Sequence, residues 1–570
     1  MEVFRQALVA GVERLTAWAD LLDRINVFPI ADGDTGRNLV ISLAPLRMPE
    51  REMQAISRDL LLSARGNSGN IASRFFQCFI KATSWEDLPA AIRLGRDRAW
   101  QAVPDPRTGT MLSFFNTLAD TLFDAATLSD PDCIAKVLAN LETAVRDTTD
   151  QQPKLRKAGV VDAGALGMFL YFEGFFHIIA RGRIPLCAVA ETFRNRLQVS
   201  PSYGEEPETG YCVDTVLQSD ANTKDTSDML ASLGDSVVVI RKDAYLKVHF
   251  HTPDRDDARR KLDSLGHVIG WAEDDLYCQT SAFGSTHPEP VIHIMTDAAG
   301  SLTREEAKTL GISLLDSYIT ISEHSMPETH FRPEELYDAM RKGERVTTAQ
   351  ASVFERNQIY ESVMSLHPQV LYLCVGLAFT GNYGVVMDWK RGHDPEDRLT
   401  VIDSGAASGR LGVIVLAVAD YAVKASDPLQ VIAFARQAIA RCEEYVFLDR
   451  LEYVAAGGRL SKTGAFFGDM LHMKPIISPM PEGARKVGVV RNREEQLRFA
   501  MEAMGRSLQP EEKALIMLEY SDNYPWVDEV RNDVAKSYPK ARVIVHPLSL
   551  TSGAHMGPGT WAVAFLPDIQ

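Results

Sequence analysis

The apolar residues of this chain change their spacing twice, and those two changes narrow the folds open to it more than any other feature. Up to about Leu197 the spacing is helical: Phe4, Leu8, Val12, Leu15, Trp18 and Leu22 form one stripe, and the runs 54–64, 111–125 and 134–147 form others. Period-two runs are scarce there. The segment SPSYGEEPETG (200–210) is rich in proline, glycine and charge and reads as a linker. Beyond it, DSVVVIRKDAYLKVHFHT (235–252) predicts two strands around a tight turn, with Lys247, His249 and His251 alternating with Val248 and Phe250. After SAFGSTHPEP (281–290), apolar runs of strand length alternate with helical ones: VIHIMT then TREEAKTLG, VLYLCVGL then GNYGVVMDWKRG, LTVIDSG then SGRLGVIVLAVADYAVKA. That alternation predicts a mostly parallel sheet covered by helices. At 570 residues the chain exceeds what one core serves. We expect a multidomain protein, with an all-α domain over 1–200, a small α+β domain over 201–285 and an α/β domain over 286–570.

The net charge of −16 argues against a nucleic-acid partner, because phosphate backbones are gripped by basic patches. A polyanionic ligand would need help from a metal or from backbone amides. The seven cysteines are scattered and form no CxxC, which suits a reducing compartment. The N-terminus has no signal-peptide pattern, and no window approaches the ~18 uninterrupted apolar residues of a membrane span. A cytoplasmic location is expected.

Four short stretches stand out in the helical part. In INVFPIADGDTGRN (25–38), Asp32 and Asp34 flank a glycine, so a sharp turn could aim both carboxylates at one point; alone, the same residues also suit a turn leading into a helix cap. In ARGNSGNIASRFF (64–76), Gly66, Asn67, Ser68 and Gly69 open an apolar helical run, where small residues leave backbone N–H groups for phosphate at a positive helix end. PRTGTML (106–112) and GVVDAGALG (159–167) follow, each glycine-rich beside a helix. Together and in this order, the four resemble the nucleotide-binding, DhaL-like subunit of dihydroxyacetone kinases and, more closely, the kinase domain of bacterial fatty acid kinases. The resemblance implies a helical barrel that holds ATP, with Mg2+ bridging Asp32 and Asp34 to the phosphates and with Thr35, Asn38, Gly66, Asn67, Ser68, Gly69 and Thr110 contacting nucleotide. Hard Mg2+ prefers carboxylate and phosphate oxygens, and it would bring positive charge to an acidic protein. Asn26 occupies a place where related kinases carry a ligand aspartate, with different spacing. Arg37 stands where a small hydroxyl residue is usual, and Ala163 and Ala165 replace serine and glycine.

His249 and His251, two residues apart on a predicted strand, project to one face and could bind one metal, although an HxH on a strand is also an ordinary polar face. KVHFHT, GYCVD (210–214) and GDSVVV (234–239) resemble the central domain of fatty acid kinases. That resemblance implies Zn2+ on Cys212, His249 and His251, a soft donor set that suits zinc better than magnesium.

In the last part, hydroxyl-rich turns close the strands: TDAAGSL (296–302), TTAQAS (347–352), GLAFTGNY (376–383) and IDSGAASG (402–409), followed by AAGGRLSKTG (455–464) and AHMGPG (554–559). Each alone is a loop or cap. In this order they resemble the DegV family, the fatty-acid-binding partner of the same kinases, over essentially all of 290–570. The resemblance implies a two-lobed α/β domain that encloses an acyl chain and holds its carboxylate with Thr348, Thr380, Arg459 and His555. Ala298, Ala349 and Ala351 replace polar or rigid family residues.

The combined resemblance implies a single-chain fatty acid kinase that turns ATP and fatty acid into ADP and acyl phosphate. A fatty acid is already ionised at neutral pH, so the chemistry needs positioning and charge neutralisation rather than a general base. The expected partners are the fatty acid, ATP and an acyl-phosphate-using acyltransferase of phospholipid synthesis, with transient contact at a membrane surface and assembly as a homodimer. The rival expectations are a kinase of a small hydroxy-ketone and a lipid-binding carrier or sensor whose kinase half is inactive.

Overall fold

The computed structural model of the chain describes residues 2–48, 50–82, 84–103, 105–122, 130–204, 206–218, 229–230, 232–242, 244–283, 290–456 and 473–569. It divides into two compact units, Met1–Thr286 and His287–Gln570. The first unit begins with helices α1 (Glu2–Thr16), α2 (Ala19–Arg24), α3 (Thr35–Leu43), α4 (Met53–Ser63) and α5 (Gly66–Phe79). Further helices follow at Leu88–Gln101, Met111–Thr121, Pro131–Gln151 and Ala163–Ile179. The helical spacing read at 54–64, 111–125 and 134–147 corresponds to α4, Met111–Thr121 and Pro131–Gln151, the last two carrying Phe114, Phe115, Val137 and Leu141 inward.

Helix Ala163–Ile179 is buried on every side from Ala163 to Phe176, as its lack of a polar face requires. Helix α1 can lie close to it because glycine stands at the crossing: a Cβ on Gly174 would sit 2.6 Å from the Ala10 carbonyl oxygen. Phe75 of α5 stacks on Phe115 with ring centroids 4.1 Å apart and meets Phe172 edge-on at 6.0 Å. One buried ion pair crosses this apolar interior. Arg14 Nη2 lies 2.8 Å from Glu173 Oε2 and also donates to the Cys187 carbonyl oxygen at 2.9 Å. Glu173 in turn accepts the Cys187 N–H at 2.6 Å, so both charges are fully engaged.

The unit closes with an antiparallel sheet in the order β2 (Asp235–Lys242), β3 (Tyr245–Thr252), β1 (Tyr211–Gln218) and β4 (His267–Asp275). The predicted strand pair is β2 and β3. In the β1–β3 register Cys212 stands opposite His251 and Asp214 opposite His249, which puts all four on one face. The other face carries Val213, Leu217, Leu246, Val248 and Phe250 against Ala258 and Leu262 of helix Arg255–Asp263. The alternation therefore sorts an apolar core from a face free to carry chemistry.

The second unit contains a four-stranded parallel sheet in the order Leu399–Asp403, Val370–Cys374, His293–Asp297, Ser313–Leu315. These strands and helices Arg304–Leu310, Asn382–His393 and Ser408–Ala422 are the alternating runs of the sequence. A six-stranded sheet departs from the expected parallel arrangement. Its order is Gly483–Val490, Lys474–Met480, Glu443–Phe447, Trp561–Pro567, Ala514–Tyr520, Arg542–Pro547, and only the last pair is parallel. The physical reason is connection length. Strands 474–480 and 483–490 are joined by residues 481 and 482 alone, and a parallel pair needs a crossover of a dozen or more residues. A three-stranded antiparallel sheet, His324–Pro327, Ser317–Ile321 and Val346–Gln350, completes the unit. Among the described residues no helix is long and apolar enough to cross a membrane.

Candidate functional site

Gly33 adopts φ 65°, in the left-handed region that favours glycine, and so lets the chain reverse between Asp32 and Asp34. Asp34 is the residue before α3, yet its side chain does not cap the helix. The α3 amides of Gly36 and Arg37 donate instead to Asp23 Oδ1, at 2.6 and 3.2 Å. Asp34 is thereby left to line a cleft with Asp32, Thr35, Asn38, Gly66 and Ser68. Asn26 donates from Nδ2 to Asp32 Oδ1, giving this residue a definite place beside the first aspartate. Burial, then the nearby Asp34 carboxylate, pushes the Asp32 carboxyl well above the usual range. Burial also raises Asp34, while the Asn38 amide and the Arg37 charge oppose the rise. Two carboxylates held together against solvation are a natural seat for a hard divalent cation.

The second stretch forms the opposite lip. Gly66 is at φ 61°, and a Cβ there would overlap the Asn38 side-chain amide, so the turn requires glycine twice over. Thr35 Oγ1 and Ser68 Oγ lie 3.3 Å apart, joining the two lips. The first amides of a helix lack intrahelical partners, which makes the start of α5 a place for anions. The Gly66 N–H, however, is already taken: it donates to Asp214 Oδ2 at 2.8 Å. Gly69 lies outside the cleft wall and serves packing, since a Cβ there would strike Ser42 Oγ. Thr110 is also outside it. It caps helix Met111–Thr121, accepting the Leu112 N–H at 3.3 Å and donating to the Arg107 carbonyl at 2.9 Å. Asp162 of the fourth stretch accepts the Ala165 N–H at 2.7 Å and a backbone bond from Met111, with burial pushing its carboxyl up to about 6. The third and fourth stretches thus meet each other as helix caps.

The strand pair supplies the remaining wall. Cys212, His249 and His251 line the same cleft as Asp32 and Asp34. A ligand atom from each lies within 4.8 Å of the other two, and all three residues are buried. Both ring nitrogens of His249 and Nδ1 of His251 have no hydrogen-bond partner; Asp214 Oδ2 comes to 3.3 Å from His249 Nδ1 without hydrogen-bond alignment. Buried unpartnered nitrogens are costly, and a metal ion would satisfy them. Burial, then His249, holds His251 down to about 3, so its ring is neutral, the form that ligates metal. Burial and the carboxylates of Asp34, Asp214 and Asp32 raise the Cys212 thiol far above its ordinary value, and a bound cation would reverse that effect. The donor set fits zinc.

In the second unit the structure brings two of the sequence-predicted residues together. Thr348 Oγ1, on strand Val346–Gln350, lies 3.0 Å from His555 Nε2, on helix Leu550–Met556. Thr380 precedes helix Asn382–His393, and its hydroxyl accepts the Asn382 N–H at 3.2 Å. Arg459 lies outside the described residues. Arg356 ties the two turns to each other, donating to Gln350 Oε1 at 3.1 Å and to Asn382 Oδ1 at 2.8 Å. Asn382 then donates to Asp297 Oδ1 at 2.6 Å, and Asp297 also accepts from the Tyr372 hydroxyl and the Val375 N–H. Neither Arg356 nor Asp297 was singled out from the sequence, though Asp297 stands in the quoted TDAAGSL.

Comparison with known proteins bears on each part. Residues 29–177 match the DAK2 domain, residues 208–282 match a middle domain of the fatty acid kinase type, and residues 291–568 match the DegV family, described as uncharacterised. The chain carries these three domains in series. An uncharacterized protein of Staphylococcus saprophyticus is 28% identical over 298 residues, covering 47% of this chain and 53% of that protein. Protein YloV of Bacillus subtilis is 26% identical over 352 residues, covering 55% of this chain and 64% of that protein. The match thus spans between about half and two thirds of these relatives' length. Among solved structures, a DegV family protein from Thermus thermophilus, described as fatty acid binding, is similar with a TM-score of 0.45 and 22% identity, covering 49% of this chain and 99% of that one. DegV of Bacillus subtilis, described as a fatty acid binding protein, is similar with a TM-score of 0.45 and 18% identity over 49% of this chain and all of its own. Asp32, Asp34 and the Gly66 turn fall within the DAK2 domain, Cys212, His249 and His251 within the middle domain, and Thr348, Thr380 and His555 within the DegV domain.

Proposed function

We propose that this chain is a fatty acid kinase that phosphorylates the carboxylate of a fatty acid held by its own DegV domain, using ATP and releasing ADP. The working partition is 1–200 for the kinase domain, 201–285 for the middle domain and 286–570 for the lipid-binding domain. The observation that carries the reading is the single cleft in which the Asp32–Asp34 pair faces the start of α5, within a chain that also carries a DegV domain. In this reading Asp32 and Asp34 hold Mg2+, which supplies charge neutralisation at the phosphates. Thr35, Asn38, Asn67 and Ser68 then position the phosphates. Zinc on Cys212, His249 and His251 holds the middle sheet. Thr348, Thr380, Arg459 and His555 grip the carboxylate of the lipid with two hydroxyls, an imidazole and one guanidinium, so that one oxygen stays free to attack. Tethering both substrates' domains on one chain raises the carrier's effective concentration to roughly millimolar.

A second reading, a lipid carrier with an inactive kinase half, is favoured by one feature: the Arg37 charge acts on Asp34, where it opposes a cation. ATP turnover separates the two. With Mg2+ present, added long-chain fatty acid should accelerate ADP release by the purified chain by about tenfold or more, since the in-line acceptor is then in place. ADP release that ignores fatty acid favours the carrier reading. Release stimulated by dihydroxyacetone instead would favour a kinase of small hydroxy-ketones.

A further inference from the structure

We propose that Asp214 is a positioning residue that couples the Cys212–His249–His251 metal site to the phosphate-binding turn, so that metal and nucleotide bind cooperatively. The inference rests on the kinase reading above. Asp214 is only 7% exposed and sits between the two sites. On one side its Oδ2 accepts the Gly66 N–H at 2.8 Å and its Oδ1 accepts Asn70 Nδ2 at 3.0 Å. The same Asn70 amide donates to the Gly66 carbonyl at 2.8 Å, so Gly66 is held through both its N–H and its C=O. On the other side Asp214 Oδ2 lies 3.3 Å from His249 Nδ1, and Lys247 Nζ lies 3.5 Å from Oδ1.

Each of these partners has a physical consequence. A carboxylate on the second nitrogen of a metal-ligating imidazole fixes the ring's tautomer and orientation and raises its basicity. For His249 the carboxylate beside Nδ1 is that of Asp214, 3.3 Å away and placed to take up this role once a metal would hold the ring. The same carboxylate occupies the positive start of α5, and by taking the Gly66 N–H it sets the direction in which the next amides of the turn, Asn67 and Ser68, face the cleft. Lys247, 3% exposed, lies beside the buried carboxylate and offsets its charge, while the Gly66 N–H and the Asn70 amide are its hydrogen-bond donors. If Asp214 served only to neutralise Lys247, metal and nucleotide affinities would be independent.

The test measures zinc affinity by chelator competition and Mg·ADP affinity by calorimetry, both on the full chain. Asp214→Asn should weaken zinc binding by about tenfold or more, as loss of such an outer carboxylate does. It should weaken Mg·ADP binding by about tenfold as well, the value of one hydrogen bond to a charged group. Removing zinc should weaken Mg·ADP binding to the wild-type chain by a similar factor, and should add nothing in Asp214→Asn. Asn70→Ala, which leaves the metal side intact, should weaken Mg·ADP about fivefold and zinc by less than about twofold. It serves if Asp214→Asn does not fold, because zinc removal should then matter less in Asn70→Ala than in the wild type. A wild-type chain that binds Mg·ADP equally with and without zinc overturns this inference alone. A wild-type chain that binds no Mg·ADP overturns the kinase reading and this inference with it.

Discussion

Asp34→Asn should lower Mg2+-dependent ATP turnover by at least about a thousandfold, because it removes one of two carboxylates from the seat of a cation that stabilises the transferring phosphoryl group by several kcal/mol. The structure separates this loss from unfolding. Asp34 precedes α3 but does not cap it; the Gly36 and Arg37 amides are capped by Asp23. The neutral variant therefore removes charge without removing a cap, and it relieves the repulsion that raises the Asp32 carboxyl. Its melting temperature should equal or slightly exceed that of the wild type. Wild-type-like turnover in a folded Asp34→Asn protein would end the metal assignment, whereas inactivity together with a large drop in melting temperature would make the residue structural.

The largest stability effect should come from Arg14. Arg14→Met leaves Glu173 buried, 3% exposed, with only Cys187 donors beside it, and stranding one charge of a buried pair costs about 3–5 kcal/mol. For a unit of this size that corresponds to a fall in melting temperature of roughly 10 °C. The double variant Arg14→Met with Glu173→Leu should recover most of the loss, because replacing both partners by apolar groups of similar size is close to neutral. Calorimetric melting of the wild type, the single variant and the double variant is the measurement. A single variant as stable as the wild type would mean that the pair contributes nothing to stability.

The helices of the first unit were legible because an amphipathic or wholly apolar helix repeats its signal over many turns, as in Ala163–Ile179. The β2–β3 pair was legible because Lys247, His249 and His251 alternate with Val248 and Phe250. The antiparallel character of the six-stranded sheet was not read, although the two-residue connection at 481–482 carried the signal. At the candidate site, the turns that bring Asp32, Asp34, Gly66 and Ser68 to one cleft were legible because their signal lies in adjacent residues: a reversal between carboxylates, and small residues at a helix start. Gly69 and Thr110 belong to the same residue types but lie outside the cleft wall, one packed against Ser42 and the other capping a helix, a difference that pattern alone does not show. Asp23 and Asp214 were not legible. Each is a single aspartate whose role depends on a partner not adjacent in the chain, 13 residues away for Asp23 and Gly36 and 148 for Asp214 and Gly66. Nor did the sequence place the metal cluster and the carboxylate pair in one cleft, since nothing local connects GYCVD to ADGD.

Transfer of the phosphoryl group to a fatty acid tests the account most directly. The purified chain is incubated with Mg2+, ATP and a long-chain fatty acid, and the product is trapped with hydroxylamine as the acyl hydroxamate and quantified against ADP. One hydroxamate is expected for each ADP released, and none from Asp34→Asn. ADP without hydroxamate, or neither product from folded chain supplied with both substrates, would contradict it.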